Sequence, residues 1–420
     1  MKFIHAGDIH LDSALSGLSA HEDAPVDLLR TATRRAFEAL VERALAERVD
    51  FVALPGDLFD TGWRDYNTGL FFVRQAARLN QAGILVFLLR GNHDAEQDMT
   101  RNLTLPPNVR IFGTRRPETF EIAVDGQKVA LHGQSFRTAA TTDNLAAAYQ
   151  PLPGCINIAL LHTALAGGYA EHQPYAPCSL DELKNKGMDY WALGHVHEHA
   201  ILSEAPWVAF SGNLQGRHIR ERGPRGALLV TCEQGVIRPP ERIFLDVVRW
   251  ERALVDLAGA ATRADAMNRT RAAFETIMAA AEGRRVACRV VLTGRTAAHG
   301  ELFGQARALR ADVVGQALTV GGDDLWIEKI GVATEPELDP AVIAGRADAL
   351  ADLQALLTKA ATDADFHAAL ADDFRTLLTK MPADLFRQEL LALDAVRAGD
   401  FAGLIASVAP SLVDRVAREG

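Results

Sequence analysis

Along residues 1–240, short runs of consecutive apolar residues alternate with stretches in which apolar positions recur every three or four residues. "KFIHAGDIH", "DFVALPGD", "ILVFLLRGNHD", "INIALLHTAL", "DYWALGHVHE" and "WVAFSGN" each read as a strand ending in polar residues. Between the first two, Leu29, Ala32, Ala36, Leu40, Val41 and Ala44 recur at helical spacing, and Leu70, Val73 and Ala77 mark a further helix. Alternating strands and helices predict an α/β sheet.

Paired prolines in "RPPERI", Arg238–Ile243, predict a domain boundary. Beyond it "VRWERALVDL" reads as a strand, residues 262–281 as a helix, "RVACRVVLTG" as a strand, residues 298–318 as a helix, and "DLWIEKIGVAT" as a strand. "TEPELDP" then breaks the chain. Residues 340–418, rich in Ala, Leu and Asp, read as three or four short helices with Pro382 and Pro410 as starts or stops. The expected organisation is a first domain over 1–240, a small α/β domain over 241–335 and a helical region over 336–420.

A length of 420 residues agrees with two or three domains, and 48% hydrophobic with 23% charged residues is a soluble, globular balance. No apolar run approaches the roughly 18 residues that span a bilayer, and "MKFIHAGDIH" lacks the long apolar core of an export signal. Cys155, Cys178, Cys232 and Cys288 form no CxxC pair, which excludes a zinc knuckle or redox dithiol and fits a reducing cytoplasm. Net charge is −10, but residues 335–420, with 8 Lys and Arg against 15 Asp and Glu, hold −7 of it. The first 334 residues are therefore close to balanced, and bulk charge does not exclude a nucleic-acid partner.

The strand ends carry the chemistry. "GDIH" supplies Asp8 and His10, "GDLFD" Asp57 and Asp60, "GNHD" Asn92, His93 and Asp94, "LLHTAL" His162, and "LGHVHEH" His195 and His197. In open α/β sheets, residues beyond the carboxyl ends of separate strands converge. Imidazole, carboxylate and amide oxygen together suit manganese, zinc or iron. Asp8, His10, Asp57, Asn92, His162, His195 and His197 are too many for one four-coordinate ion. They suffice for two ions sharing a carboxylate, the arrangement that activates water for attack on phosphorus.

In that order, DxH, GD, GNH, H and GHxH make the chain resemble the calcineurin-like metallophosphoesterases. "HAGDIHLDS", "PGDLFD" and "FSGNLQGRHIRERGPRGALLV" make it similar, within them, to the SbcD-type DNA repair exonucleases and their YhaO-like branch. The resemblance implies a four-layer α-β-β-α sandwich followed by a small α/β capping domain and C-terminal helices. It implies two divalent ions, manganese, one held by Asp8, His10, Asp57 and His197 and the other by Asp57, Asn92, His162 and His195. His93 would stabilise or protonate the leaving oxygen. Asp94 would either orient the His93 ring or cap the following helix. Some relatives carry a His where this chain has Asp60, which leaves Asp60 as an acceptor to a metal-bound histidine or as a turn residue.

Arg64 beside Trp63 and Tyr66, and Arg217, His218 and Arg220 in the Arg-rich loop, are candidate DNA contacts. The implied partners are DNA, an SbcC-like coiled-coil ABC-type ATPase docking on the C-terminal helices, and a second copy of the chain. Two alternatives use the same residues differently: a phosphoesterase of small or cyclic-nucleotide substrates, and a scaffold regulating an ATPase.

Overall fold

The structure, a computed structural model, describes residues 1–13, 24–60, 66–95, 103–165, 175–303, 305–337, 343, 346, 348–380 and 396–419. The chain divides into two compact units whose boundary in sequence falls between Trp250 and Glu251. This lies beyond the paired prolines, because the segment that follows them still belongs to the first unit's sheet.

That unit begins with β1 (Lys2–His5), α1 (Val26–Glu47), β2 (Phe51–Pro55), α2 (Tyr66–Gln81), β3 (Leu85–Leu89), α3 (Asn92–Ala95) and β4 (Val109–Ile111). It continues through β5 (Glu118–Val124), β6 (Gln127–Gly133), β7 (Ile156–His162), α4 (Leu180–Lys184), β8 (Tyr190–Gly194), β9 (Ala200–Glu204) and β10 (Trp207–Phe210). Then come β11 (Gly226–Glu233), β12 (Val236–Ile237) and β13 (Glu241–Phe244). One sheet has the order β12-β11-β1-β2-β3-β4, with β13 also pairing β11, and the other β5-β6-β7-β8-β10-β9. β1 to β4 are parallel neighbours, as are β6, β7, β8 and β10.

Alternation along the strands stacks the layers. Phe3, Phe51, Ala53, Phe87 and Leu89 meet Val129, Leu131, Ile158, Leu160 and Tyr190 between the sheets. Their neighbours Ile4, Val52, Leu54, Val86 and Leu88 point the other way, onto the helices α1 and α2. Leu161, Trp191 and Leu193 cover the far face of the second sheet, under Phe136, Tyr149 and Leu183. Both faces of the parallel strands are thus buried, which is why they read as continuous apolar runs. The result is the expected α-β-β-α sandwich.

The helix expected around Leu70, Val73 and Ala77 exists, but its core face is Phe71, Phe72, Ala76 and Leu79, while Leu70 is exposed. The aromatic pair sets the rotation: Phe37 of α1 lies 5.9 Å from Phe72 and 6.3 Å from Phe71 between ring centroids.

In the second unit, β14 (Val248–Asp256, which enters it from the first), α5 (Arg263–Ala280), β15 (Arg285–Thr296), α6 (His299–Leu302), α7 (Ala306–Gly321) and β16 (Leu325–Pro336) form a three-stranded sheet ordered β14-β15-β16 with its helices. A capping box of Thr262 and Asp265 starts α5. The single helix expected over 298–318 is two, because Phe303 leaves helical geometry at ψ 138°. Among the described residues that follow are the helices α8 (Ala349–Ala360), α9 (Ala364–Lys380) and α10 (Phe401–Glu419). Pro410 lies inside α10 rather than at an end, and Pro382 is outside the described residues. No helix among the described residues is long and apolar enough to cross a membrane.

His5 fastens the two sheets to each other. Its Nε2–H donates to Leu193 O at 3.0 Å, so its Nδ1 accepts the Tyr190 hydroxyl at 3.0 Å. Burial pushes its pKa from 6.5 down to about 3. The unfolded chain therefore takes up a proton first: this contribution to stability is flat above pH 6.5 and falls as pH drops from 6.5 toward 3. We expect His5→Leu to cost about 2 kcal/mol at pH 7, from the two buried polar groups left unpartnered. We also expect it to remove about 1.4 kcal/mol per pH unit from the acid slope below pH 6.5. Urea unfolding of both proteins at pH 7 and pH 5 measures both effects.

Candidate metal centre

The loops leaving β1 and β2 run side by side, with Asp8 N–H donating to Gly56 O (3.2 Å), His10 N–H to Asp57 O (3.0 Å) and Leu11 N–H to Leu58 O (2.9 Å). Asp8, His10 and Asp57 have φ of 53°, 48° and 53°, and His195 has φ 98°, all in the left-handed region that side chains disfavour. Such strain persists only where surrounding structure enforces it, and it clusters at functional sites. Gly91 is required for packing: a Cβ there would collide with the Asp57 carboxylate and backbone.

These loops bring the expected residues together. Asp8, His10 and His197 offer ligand atoms within 4.8 Å of one another, as do Asp8, Asp57 and His162. Asp8 is common to both groups, and Asp57 Oδ2 of the second reaches toward the first, 3.9 Å from His10 Nε2 and 3.5 Å from His162 Nε2. Asn92 Oδ1 lies 2.9 Å from His162 Nε2. His195 belongs to none of these groups. Its ring packs against that of His162 at 5.1 Å, and its N–H donates to both oxygens of Asp8 at 3.0 Å.

The donor set fits cations. His162 Nδ1–H donates to Pro55 O at 2.9 Å, so Nε2 faces the acceptors Asn92 Oδ1 and Asp57 Oδ2. Either a proton or a cation satisfies that confrontation. Burial opposes a charged ring there, yet Asp57 and Asp8 outweigh it and carry the His162 pKa to about 9. The same two carboxylates supply the negative charge that a cation at this point would need. His197 Nδ1 lies 2.8 Å from Glu221 Oε1, which orients the ring so that its Nε2 meets His10 Nε2 at 3.1 Å. His10 is buried and its Nδ1 has no hydrogen-bond partner. A cation between the two Nε2 atoms resolves their opposition.

His93 sits beside this cluster, with its ring 4.9 Å from that of His10 and its N–H donating to Asp57 Oδ1 at 3.0 Å. The carboxylate on its ring is Asp60, whose Oδ1 lies 2.9 Å from His93 Nδ1. Asp94, expected either to orient that ring or to cap a helix, takes another place. It accepts N–H bonds from Leu58 (3.1 Å), Phe59 (2.9 Å) and Gly91 (3.1 Å), tying the loop after β2 to the one after β3.

Among the expected DNA contacts, Arg64 and its neighbour Trp63 are outside the described residues. His218 and Arg220 are exposed. Arg217 is largely buried, its Nη2 donating to Glu221 Oε1 at 2.9 Å. Glu221 was not expected in the site. Its only mark in the sequence is its place four residues after Arg217, an ion-pair spacing on any helical turn.

Residues 1–199 match the calcineurin-like phosphoesterase family, and residues 250–335 match the middle domain of the metallophosphoesterase YhaO. The chain is 36% identical over 297 residues to the uncharacterized metallophosphoesterase YhaO of Bacillus subtilis (strain 168), covering 70% of this chain and 72% of that protein. It is 28% identical over 289 residues to the DNA double-strand break repair protein Mre11 of Methanopyrus kandleri, covering 62% of this chain and 60% of that one. It is also 28% identical over 291 residues to the protein of the same name from Aeropyrum pernix, covering 64% and 66%. A strand-end cluster of carboxylates and imidazoles and a shared sequence over most of both chains together place the protein among the YhaO-like members of the calcineurin-like metallophosphoesterases.

Proposed function

We propose that the protein is a two-metal phosphodiester hydrolase acting on DNA, an exonuclease of the SbcD type. The observation that supports it most is that two ligand groups meet at adjacent carboxylates: Asp8 belongs to both, and Asp57 Oδ2 lies within 4 Å of a histidine of each, His10 and His162. Asp8, His10, Asp57 and His197 would hold one ion, and Asp57, Asn92, His162 and His195 the other, manganese in both places. Bound divalent ions of this kind polarise phosphoryl oxygens and lower the pKa of water.

The chain's own residues supply orientation and a proton. Pro55 O and Glu221 fix the ring tautomers of His162 and His197, so that both direct Nε2 inward. At His93, burial disfavours the charged ring, but the bond to Asp60 and the charge of Asp57 outweigh it and raise the pKa. With Nδ1–H held by Asp60, Nε2–H is the proton available to a leaving oxygen. The DNA reading draws its support from the relatives named for double-strand break repair, and Arg220, with the imidazole of His218 beside it, is the exposed candidate for its contacts. Exposed Leu356, Leu377, Leu412 and Val416 on the C-terminal helices support a docking role for that region, toward a coiled-coil ABC-type ATPase.

Wild-type protein stripped of metal and titrated with Mn²⁺ is expected to bind two ions per chain, and Asp57→Asn to lose at least one, as read by isothermal titration calorimetry. With Mn²⁺, the protein is expected to degrade single-stranded DNA as well as bis-p-nitrophenyl phosphate. Hydrolysis of the small ester alone would favour a small-molecule phosphoesterase. His93→Ala is expected to keep both ions and lose about 10²–10⁴-fold in kcat. Asp60→Asn is expected to lower kcat and, because, against burial, His93, Ser13 and Arg217 hold the Asp60 carboxyl below its usual range, to lower stability at pH 7 as well, as read by urea unfolding. Asp94→Ala, which leaves three buried N–H groups unpartnered, is expected to cost about 2–3 kcal/mol in urea unfolding.

A further inference from the structure

Two carboxylates orient the imidazoles of this site, and one side chain reaches both. Glu221 Oε1 lies 2.8 Å from His197 Nδ1, and Asp60 Oδ1 lies 2.9 Å from His93 Nδ1. Arg217 donates to Glu221 through Nη2 (2.9 Å), through Nε (3.3 Å) and through its backbone N–H (2.7 Å). Its remaining terminal nitrogen, Nη1, turns the other way. It lies 3.8 Å from Asp60 Oδ2 and 3.4 Å from the Ser13 hydroxyl, which itself donates to Asp60 Oδ2 at 2.6 Å.

The contacts form a continuous path from His197 through Glu221, Arg217 and Asp60, with Ser13 alongside, to His93. The Arg217 side chain is 15% exposed and the Glu221 side chain 6%, so the pair is shielded from the screening that weakens surface ion pairs. A guanidinium suits this place because its planar fork can engage one carboxylate with two nitrogens and still present a third. Lysine carries the same charge at a single point and cannot span both. Asn213 Nδ2 also donates to Glu221 Oε2 at 2.9 Å, so the carboxylate keeps a second anchor when Arg217 is changed.

We infer that Arg217 is a positioning residue that couples the orientation of the inward-facing His197 to that of the proton-donating His93. Its expected role as a DNA contact gives way to this one. The inference rests on the two-metal reading above, and predicts that one substitution disturbs cation binding and turnover together.

Apo protein is titrated with Mn²⁺ by calorimetry, and kcat and KM for bis-p-nitrophenyl phosphate are measured on wild type, Arg217→Gln and Arg217→Lys. Arg217→Gln is expected to weaken one of the two Mn²⁺ binding events about tenfold and leave the other near its wild-type value. It is expected to lower kcat at saturating Mn²⁺ at least tenfold with KM within about twofold. Arg217→Lys is expected to show the same pattern with a kcat no more than partly restored, and it is the variant read if Arg217→Gln does not fold. A DNA contact alone would leave metal affinity and turnover of this small ester at wild-type values, and that result overturns the inference. Full restoration by lysine overturns the two-carboxylate span. Wild-type protein that neither binds Mn²⁺ nor turns over the ester would instead overturn the two-metal reading, and this inference with it.

Discussion

The site depends on the pairing of two loops. The backbone ladder from Asp8 to Leu11 against Gly56 to Leu58 carries the parallel pairing of β1 and β2 beyond the ends of the strands. Asp8, His10 and Asp57 are thereby held in left-handed geometry. An isolated loop would relax to a cheaper conformation. Here each strained residue is fixed by a main-chain bond to the opposite loop, and the strands behind them are anchored by Phe3 and Phe51, stacked 4.7 Å apart between the sheets. The cost of the strain, of order 1–3 kcal/mol per residue, is borne by the sandwich core.

Pairing alone brings carboxylates together but does not aim imidazoles. Aim comes from a second contact behind each ring: Pro55 O on His162, Glu221 on His197 and Asp60 on His93. The three partners come from different places, the end of β2, the loop before β11 and the loop after β2. The site is thus an assembly of main-chain and side-chain acceptors, each holding one imidazole by its Nδ1. Asp94 gives it rigidity from below by joining two of its loops through three N–H groups.

What the sequence displays and what it hides follow from this. Strands buried on both faces, such as Phe51–Pro55 and Leu85–Leu89, announce themselves as apolar runs, and the polar residues at their ends are easily found. Half-buried strands are less visible. The hairpin of β5 and β6 lies outside the apolar runs, and only Asp125 and Gly126, with φ of 50° and 78°, mark it, by the turn that an Asp-Gly pair signals. Metal-ligand candidates are legible because residue type and position at a strand end both point to them. The orienting carboxylates are not, because only the tertiary fold decides whether Asp60 or Asp94 reaches His93. Both follow a recognisable motif within a few residues, and spacing favours the adjacent Asp94. Chain direction in the short helix α3 turns Asp94 away from the site and down toward Leu58.

The Arg-rich loop shows the same difficulty from the side of charge. Read as a sequence, residues 212–226 are a basic segment interrupted by one Glu. Folded, Arg225 is buried, pairing with the exposed Glu198 at 2.6 Å and donating to Asn213 Oδ1 at 3.2 Å, while Arg217 pairs with the buried Glu221. The loop is therefore built inward around one carboxylate, Glu221, and Arg217 first neutralises that buried anion. What it offers outward is the smaller set of His218, Arg220 and Arg222. The same loop is clasped to the segment that leads into the second unit: Gln215 Nε2 donates to Val248 O at 2.6 Å, Trp250 Nε1 to Gly216 O at 2.9 Å, and Gly223 N to Trp250 O at 2.9 Å. Residues 246–250 thus bear directly on the loop that positions Glu221.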